Sequence, residues 1–301
     1  MATVGELLST CRPRYTTHLL LLLAAAVTHS PGRLMAQERV IERHVFDEPE
    51  GRLLAFYSAT MAFTPGGLTA GNGWSVGIEM SYVPFLNEAQ RRPSLDKPEA
   101  TNLVPFFPRP RLGVRFAGLY VEGSWIPPMR VFDVEANLLS GSISGVGWAM
   151  AGWHISPRVW GATGRVRGTI TCAASAMVGK GADLETYYAT VCHGRESDDW
   201  FEPRMLGAEA IAVRVLADGA LRAYVGAGAR VDRSRFDIGV LTGEGVRDPD
   251  HPILELRATR PHFTLGAGWH PRGRIATGAE LFYAPGSVLT ARATVRWSAR
   301  P

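Results

Sequence analysis

Two groups of residues in this 301-residue chain have the types and spacing for chemistry. His154-Ile-Ser156 sets an imidazole two residues from a hydroxyl. On an extended strand that spacing puts a base and a nucleophile on one face, the start of a hydrolytic site. Pro157 follows directly, the stretch reads as a turn, and no third residue can be assigned to orient the histidine. The second group consists of charges at alternate positions of extended runs: Arg115, Arg165, Arg167, Arg222, Arg230, Arg292 and Arg296, with Glu122, Glu135 and Glu280. Lining an open channel, they would attract anions. Paired with one another, they would fill it with salt bridges. Both signs occur on neighbouring runs, which favours the paired arrangement.

Other chemistry is poorly supplied. There is no P-loop, and Gly-Ser-Ile-Ser-Gly at 141–145 places isoleucine where a nucleophile elbow needs serine. His193-Gly-Arg-Glu196 is not a zinc motif, so no metal and no cofactor is expected. Cys11 lies in the N-terminal leader described below, which leaves Cys172 and Cys192 beside one long hydrophilic segment. In an exported protein that pair reads as a loop disulfide.

The elements that would position these residues are strands. In Ser287–Ser298, Leu289, Ala291, Ala293, Val295 and Trp297 fall on one face, and Thr290, Arg292, Thr294, Arg296 and Ser298 on the other. A period of two is the strand period. Similar alternation runs through Leu53–Phe63, Trp74–Val83, Arg111–Phe116, Leu119–Ile126, Arg130–Leu139, Arg158–Cys172, Ala220–Leu241 and Arg274–Ala284. Ser142–Trp153, Arg204–Leu216 and Leu254–Trp269 read as further strands, the first two with less clearly divided faces, whereas the prolines of Pro84–Pro110 argue against a strand there.

At the N-terminus, Arg12, Arg14 and His18 precede the apolar run Leu19–Val27. This is the pattern of a secretory signal peptide, with cleavage expected after Ala36. The full chain carries +4; residues 1–36 hold three arginines and one glutamate, so the mature chain keeps about +2. That balance gives no reason to expect nucleic acid as a partner.

Two all-β architectures suit alternating strands, a soluble sandwich and a closed barrel. The apolar faces here are rich in alanine and glycine, with tryptophan and tyrosine near strand ends, and the opposite faces are charged. That combination suits lipid outside, a polar interior and aromatic girdles. The expected fold is a closed antiparallel transmembrane β-barrel of twelve strands. Merging Arg111–Ile126 and Arg130–Trp153 into single strands gives ten. The expected divisions are a signal peptide (1–36), an N-terminal periplasmic extension (37–52) and the barrel (53–301). Either count puts Ala217–Gly219 and 270–273 at the periplasmic end, and Ala173–Pro203 and Thr242–Pro252 outside. It also puts the long Pro84–Pro110 segment on the periplasmic side, where connections should be short.

Leader and strand pattern together resemble the outer-membrane β-barrel proteins of Gram-negative bacteria. The resemblance implies an outer-membrane location, contact with outer-membrane lipid, and handling by the barrel-assembly machinery, which reads an aromatic in the last strand. Trp297 supplies one, although the chain continues to Pro301. The leading functional reading is a non-enzymatic porin-like barrel: a small passive pore for small solutes, or a structural or adhesion barrel with a largely salt-bridged, arginine-rich lumen. The alternatives are a lipid-modifying hydrolase using His154 and Ser156, since outer-membrane lipid hydrolases place such a pair on one strand face, and a soluble secreted β-protein. The oligomeric state is left open.

Overall fold

The computed structural model describes residues 39–66, 73–87, 90, 105–131, 134–145, 147–271 and 273–299. The expected signal peptide and the first two residues of the extension lie outside them, as does most of Pro84–Pro110. Ten strands close into an antiparallel ring: β2 (Gly73–Tyr82), β3 (Phe106–Phe116), β4 (Leu119–Val131), β5 (Val134–Ser144), β7 (Trp153–Gly168), β9 (Arg204–Leu216), β10 (Leu221–Asp237), β11 (Ile253–Trp269), β12 (Ile275–Ala284) and β13 (Val288–Ser298). Closure is made by β13 on β2, with Arg292 opposite Ser81 and Ser298 opposite Ser75. Three short strands add to the ring: β1 (Ile41–His44), parallel to the start of β11, β6 (Trp148–Met150) on β7, and β8 (Asp199–Glu202), between β7 and β10.

The strand count is ten, not twelve, and the ten are not those of the merged alternative. Arg111–Ile126 is broken between β3 and β4 by the turn at Ala117-Gly118. The larger correction is Leu53–Phe63, expected as the first strand. It belongs instead to helix α1, Pro49–Thr60, and the coil after it. Pro49 opens the helix and Glu50 sits in its first turn, both favourable at a helix start. Leu53, Ala55, Tyr57 and Ala59 alternate, but Leu54 and Phe56 between them are also apolar, and both are buried. A helix apolar all round is one enclosed on all sides.

The enclosure is the barrel lumen. Phe56 lies in one buried cluster with Trp160 of β7 and Phe282 of β12, and the Ser58 hydroxyl is 2.6 Å from that of Ser234 on β10. Residues 39–52, expected as an extension ahead of the barrel, are built into it through β1 and the first turn of α1.

Removing the false strand also repairs the topology. At one end of the ring, the turn end, the connections include Ala117-Gly118, Ala217–Gly219 and 270–274. At the other, the loop end, lie 83–105, 169–203 and 238–252. The proline-rich segment thus joins the other long connections. Its last part, Phe106–Pro110, is a strand after all, paired with Ile78–Tyr82. β3 pairs with β4 only from Leu112 onward, so Pro108 and Pro110, which lack an N–H, sit where β3 makes no ladder with β4 among the described residues.

The wall changes character along its height. In the belt, from the turn end upward, outward positions are apolar and exposed, among them Ile78, Val121, Val159, Leu206, Leu265 and Val295. Trp74, Trp148 and Trp269 mark the turn-end rim. In the collar at the loop end the pattern reverses. Ile126, Ala136, Leu138, Val166, Phe201, Phe236 and Leu256 turn inward around Leu54 and Ala55 of α1.

Candidate functional site

Charged side chains converge in the lumen, and the centre of that cluster is the coil that follows α1. The last carbonyls of a helix have no partner within the helix. Here Tyr57 O accepts from the Thr60 hydroxyl at 2.7 Å, Ser58 O from Met61 N at 3.1 Å and Ala59 O from Ala62 N at 3.2 Å. Beyond that the barrel wall supplies the donors. Arg292 donates to Thr60 O at 3.3 Å and Ala62 O at 2.6 Å. Arg109 donates to Met61 O at 2.8 Å and Ala62 O at 3.0 Å. Phe63 O accepts from Arg158 at 2.8 Å, Thr64 O from Arg111 at 2.9 Å and Gly66 O from Arg296 at 3.2 Å. α1 has no basic residue in its last turn, so the wall provides the cations its negative end favours. The Phe63 ring is fully buried, with the guanidiniums of Arg111, Arg158 and Arg109 at 4.3, 5.5 and 5.6 Å from its centroid.

Carboxylates from the wall neutralise these arginines. Glu79, fully buried, bonds Arg111 and lies 3.4 Å from Arg292 and 3.9 Å from Arg109. Glu122 takes Arg111 at 2.8 Å and Arg296 at 2.5 Å. Glu280 accepts from the Tyr224 hydroxyl at 2.7 Å and from Gly66 N at 3.1 Å. Arg158 bonds Glu209, whose other oxygen is 3.3 Å from His262; Arg230 and Asp232 pair at 3.1 Å. β7 and β13 are five strands apart in a ring of ten, so Arg158 and Arg292 reach the same coil from opposite walls.

Of the ten charges singled out in the sequence, Arg115, Glu122, Arg222, Arg230, Glu280, Arg292 and Arg296 point into the lumen. Arg165, Arg167 and Glu135 do not. Arg165 is half exposed on the outer wall and bonds Glu202; Arg167 is likewise outward and bonds Asp198 at 2.5 Å. Glu135 shares the outer face of β5 with exposed Asn137 and Leu139. All three belong to the collar, where the inward face is the apolar one. Sequence reading underweighted Glu79, and it missed Arg109, Arg111, Arg158 and Glu209. Arg109 sat in the proline-rich segment set aside as non-strand. Arg111 and Arg158 begin runs whose polar faces were noted without reference to the coil they grip.

His154 and Ser156 are not in a turn. Both lie on β7 with Pro157 between Ser156 and Arg158, and both line a cavity of about 430 Å³ at the turn end of the lumen. Among the described residues, no carboxylate lines that cavity to orient the histidine. At the opposite end, Cys172 and Cys192 form a buried disulfide with a Cα–Cα distance of 5.8 Å. It joins the ends of a segment bearing helices α2 (Ala174–Met177) and α3 (Ala182–Thr190), which was expected as loop. Asp199, fully buried, ties this cap to the rim by accepting from the N–H groups of Ile170, Thr171 and Gly239 at 2.6–2.8 Å.

No family model matches the chain, and no curated protein matches it in sequence. Solved structures that resemble it include a loop-deletion mutant of OmpT, an outer membrane protein of Vibrio cholerae, at 11% identity and TM-score 0.26. That alignment spans 64% of this chain and 53% of the other, so the chain spans about half the length of that protein. Ail, the attachment invasion locus protein of Yersinia pestis, matches at 11% identity and TM-score 0.26 over 75% of this chain and 95% of its own. An outer membrane protein of Acinetobacter baumannii matches at 8% identity and TM-score 0.28 over 75% and 98%. Likenesses this low attach no residue of this chain to a role in any of them.

Proposed function

We propose that this chain is a non-enzymatic outer-membrane β-barrel whose lumen is closed by its own N-terminal helix, a structural or adhesion barrel rather than a passive pore. The observation that carries this reading is the coil at 61–66 that follows α1, held through its carbonyls by arginines from opposite walls. A solute would have to displace several charge-assisted hydrogen bonds, each worth about 1.5–3 kcal/mol. The apolar belt and the closed ring support a membrane setting, since an open sheet edge is not tolerated in hydrocarbon. Short turns face the periplasm in such barrels, which turns the disulfide-bonded cap outward into an oxidising compartment.

The test is conductance of the purified, folded barrel in a planar bilayer. The expected result is no steady ion current. Stable open channels in the wild-type protein would sink the closed reading and restore the passive pore. Lipid composition after expression, with His154→Ala as control, addresses the hydrolase alternative and should be unchanged in both.

A further inference from the structure

The outer wall carries a groove where the belt meets the collar. Trp125 of β4, Leu139 of β5, Thr163 of β7 and Arg204 of β9 stand opposite one another in successive strand pairs, so they form one row across four strands. In the next outward row towards the loop end, Asn137 pairs with Arg165. Together with Gly164 and Glu202 these residues line an open groove of about 590 Å³. Trp125 and Leu139 are exposed, and the exposed Leu206 continues the apolar face towards the turn end.

The charge of this groove is unbalanced. Glu202 is its one carboxylate among the described residues, and it serves two arginines. Its Oε1 accepts from Arg165 at 2.5–2.9 Å and its Oε2 from Arg204 at 3.2 Å. Both guanidiniums stay half exposed, and each carries five N–H donors, so donors remain beyond these bonds. Further along the same wall, Arg233 of β10 stands directly opposite Arg257 of β11, and both are exposed. Arg257 bonds Glu255 at 2.9 Å. Like charges directly opposite on paired strands repel, and an anionic layer against that wall offsets the repulsion.

The groove therefore has an apolar lower part and a cationic upper part. A soluble anion would use only the arginines. An acidic protein surface would meet the arginines without covering the apolar strip that runs down into the belt. A lipid uses both: its chains lie on apolar wall, and its charged head meets guanidinium forks, which match the oxygens of a phosphate.

We infer that this groove binds the phosphate headgroup of an anionic lipid, with Arg165 and Arg204 on the phosphate and the chains along Trp125, Leu139 and Leu206. The inference rests on the membrane reading above and adds to it a lipid class and the residues that select it.

The experiment is native mass spectrometry of the full mature protein in a neutral detergent, titrated with dioleoyl phosphatidic acid and, separately, with zwitterionic dioleoyl phosphatidylcholine. Saturable retention of phosphatidic acid is expected, at least about tenfold tighter than phosphatidylcholine, the effect of one charge-assisted contact. The Arg165→Gln, Arg204→Gln double variant should lose that preference. Arg195→Gln, which alters an exposed arginine of the cap, should keep it. Equal retention of the two lipids by the wild-type protein would overturn the site, as would an undiminished preference in the double variant. Glycerol phosphate binding as tightly as the lipid would overturn the lipid assignment in favour of a free anion. An oligoglutamate peptide displacing phosphatidic acid would overturn it in favour of an acidic protein. Flotation of the wild-type protein with vesicles of phosphatidylcholine alone judges the membrane reading by itself: a protein that floats without preferring phosphatidic acid loses only the groove, and one that does not float loses both.

Discussion

The belt and the collar are made from the same strands, yet they sort polar and apolar side chains in opposite ways. β7 passes through both. Arg158, Trp160, Ala162 and Val166 all face inward, and Val159, Arg165 and Arg167 all face outward. The parity of the strand does not change along its length; the surroundings do. In the belt the outside is apolar and the charges are inside. In the collar the outside carries Arg165, Arg167, Arg204 and Arg257, which is a surface for water, and the inside is packed with aliphatic and aromatic groups. The collar is thus packed like the core of a soluble domain above an apolar-faced barrel, and α1 serves both: Leu54 and Ala55 meet the collar core, and its C-terminal end enters the charged belt.

The sharpest way to break this division is in the belt. Glu79→Ala removes the carboxylate on which Arg109, Arg111 and Arg292 converge. It strands buried positive charge, and the cost expected from broken buried pairs is about 3–5 kcal/mol. Thermal unfolding in detergent should register a large drop in midpoint, and an unchanged midpoint would mean that the lumen is wet enough to screen its charges.

A smaller effect is expected above the collar. Cys172 and Cys192 close a 20-residue separation, for which loop-closure entropy gives about 3 kcal/mol relative to the unfolded chain. The bond sits in the cap with Met177 and Val240, apart from the belt network. The double Cys→Ser variant should loosen the cap to limited proteolysis and leave the strand-dominated circular dichroism intact. A free-thiol count of two on the non-reduced wild-type protein would refute the bond outright.

How far this was legible in the sequence follows from the same division. Alternation in β10 to β13 is strong because small residues face out and arginine, glutamate and threonine face in throughout the belt. Alternation reports that a strand has two faces; it does not report which is the inner one. In β7 the apolar face of Trp160, Ala162 and Val166 was assigned to lipid by analogy with the belt strands. Arg158, on that same face, was the signal against it: a charge in register with the apolar residues cannot face hydrocarbon unaided. The helix was hidden for a related reason. Leu53–Phe63 satisfies a period of two on one set of positions, and the other set, Leu54 and Phe56, was not weighed. Pro49-Glu50 is the start signal that a helix reading would have used. The misplaced proline-rich connection was a second clue, since one false strand shifts every later connection to the wrong end.

The smallest predicted effect separates the two regions most cleanly, because it compares the same residue type in both. Arg165 and Arg292 were alike in the sequence, each on the polar face of an alternating strand. Arg165 lies on the outer wall of the collar, half exposed, over the Trp200 ring and bonded to Glu202 at 2.5–2.9 Å. Solvent screens such a pair, and exposed ion pairs contribute about 0–1 kcal/mol. Glu202 also keeps Arg204 when Arg165 is lost. Arg292 is buried in the belt, bonded to Ala62 O and Thr60 O of the plug formed by α1 and the coil after it, and close to Glu79. Its removal leaves main-chain acceptors of the plug without that donor, a cost of several kcal/mol by the same reasoning as for Glu79. Arg165→Ser should thus shift the unfolding midpoint little or not at all, and Arg292→Ser should shift it strongly, both measured in the same detergent. Equal shifts would mean that the collar and the belt are not distinct environments. A silent Arg292→Ser with new conductance would mean that the plug is held by something other than the arginines around it.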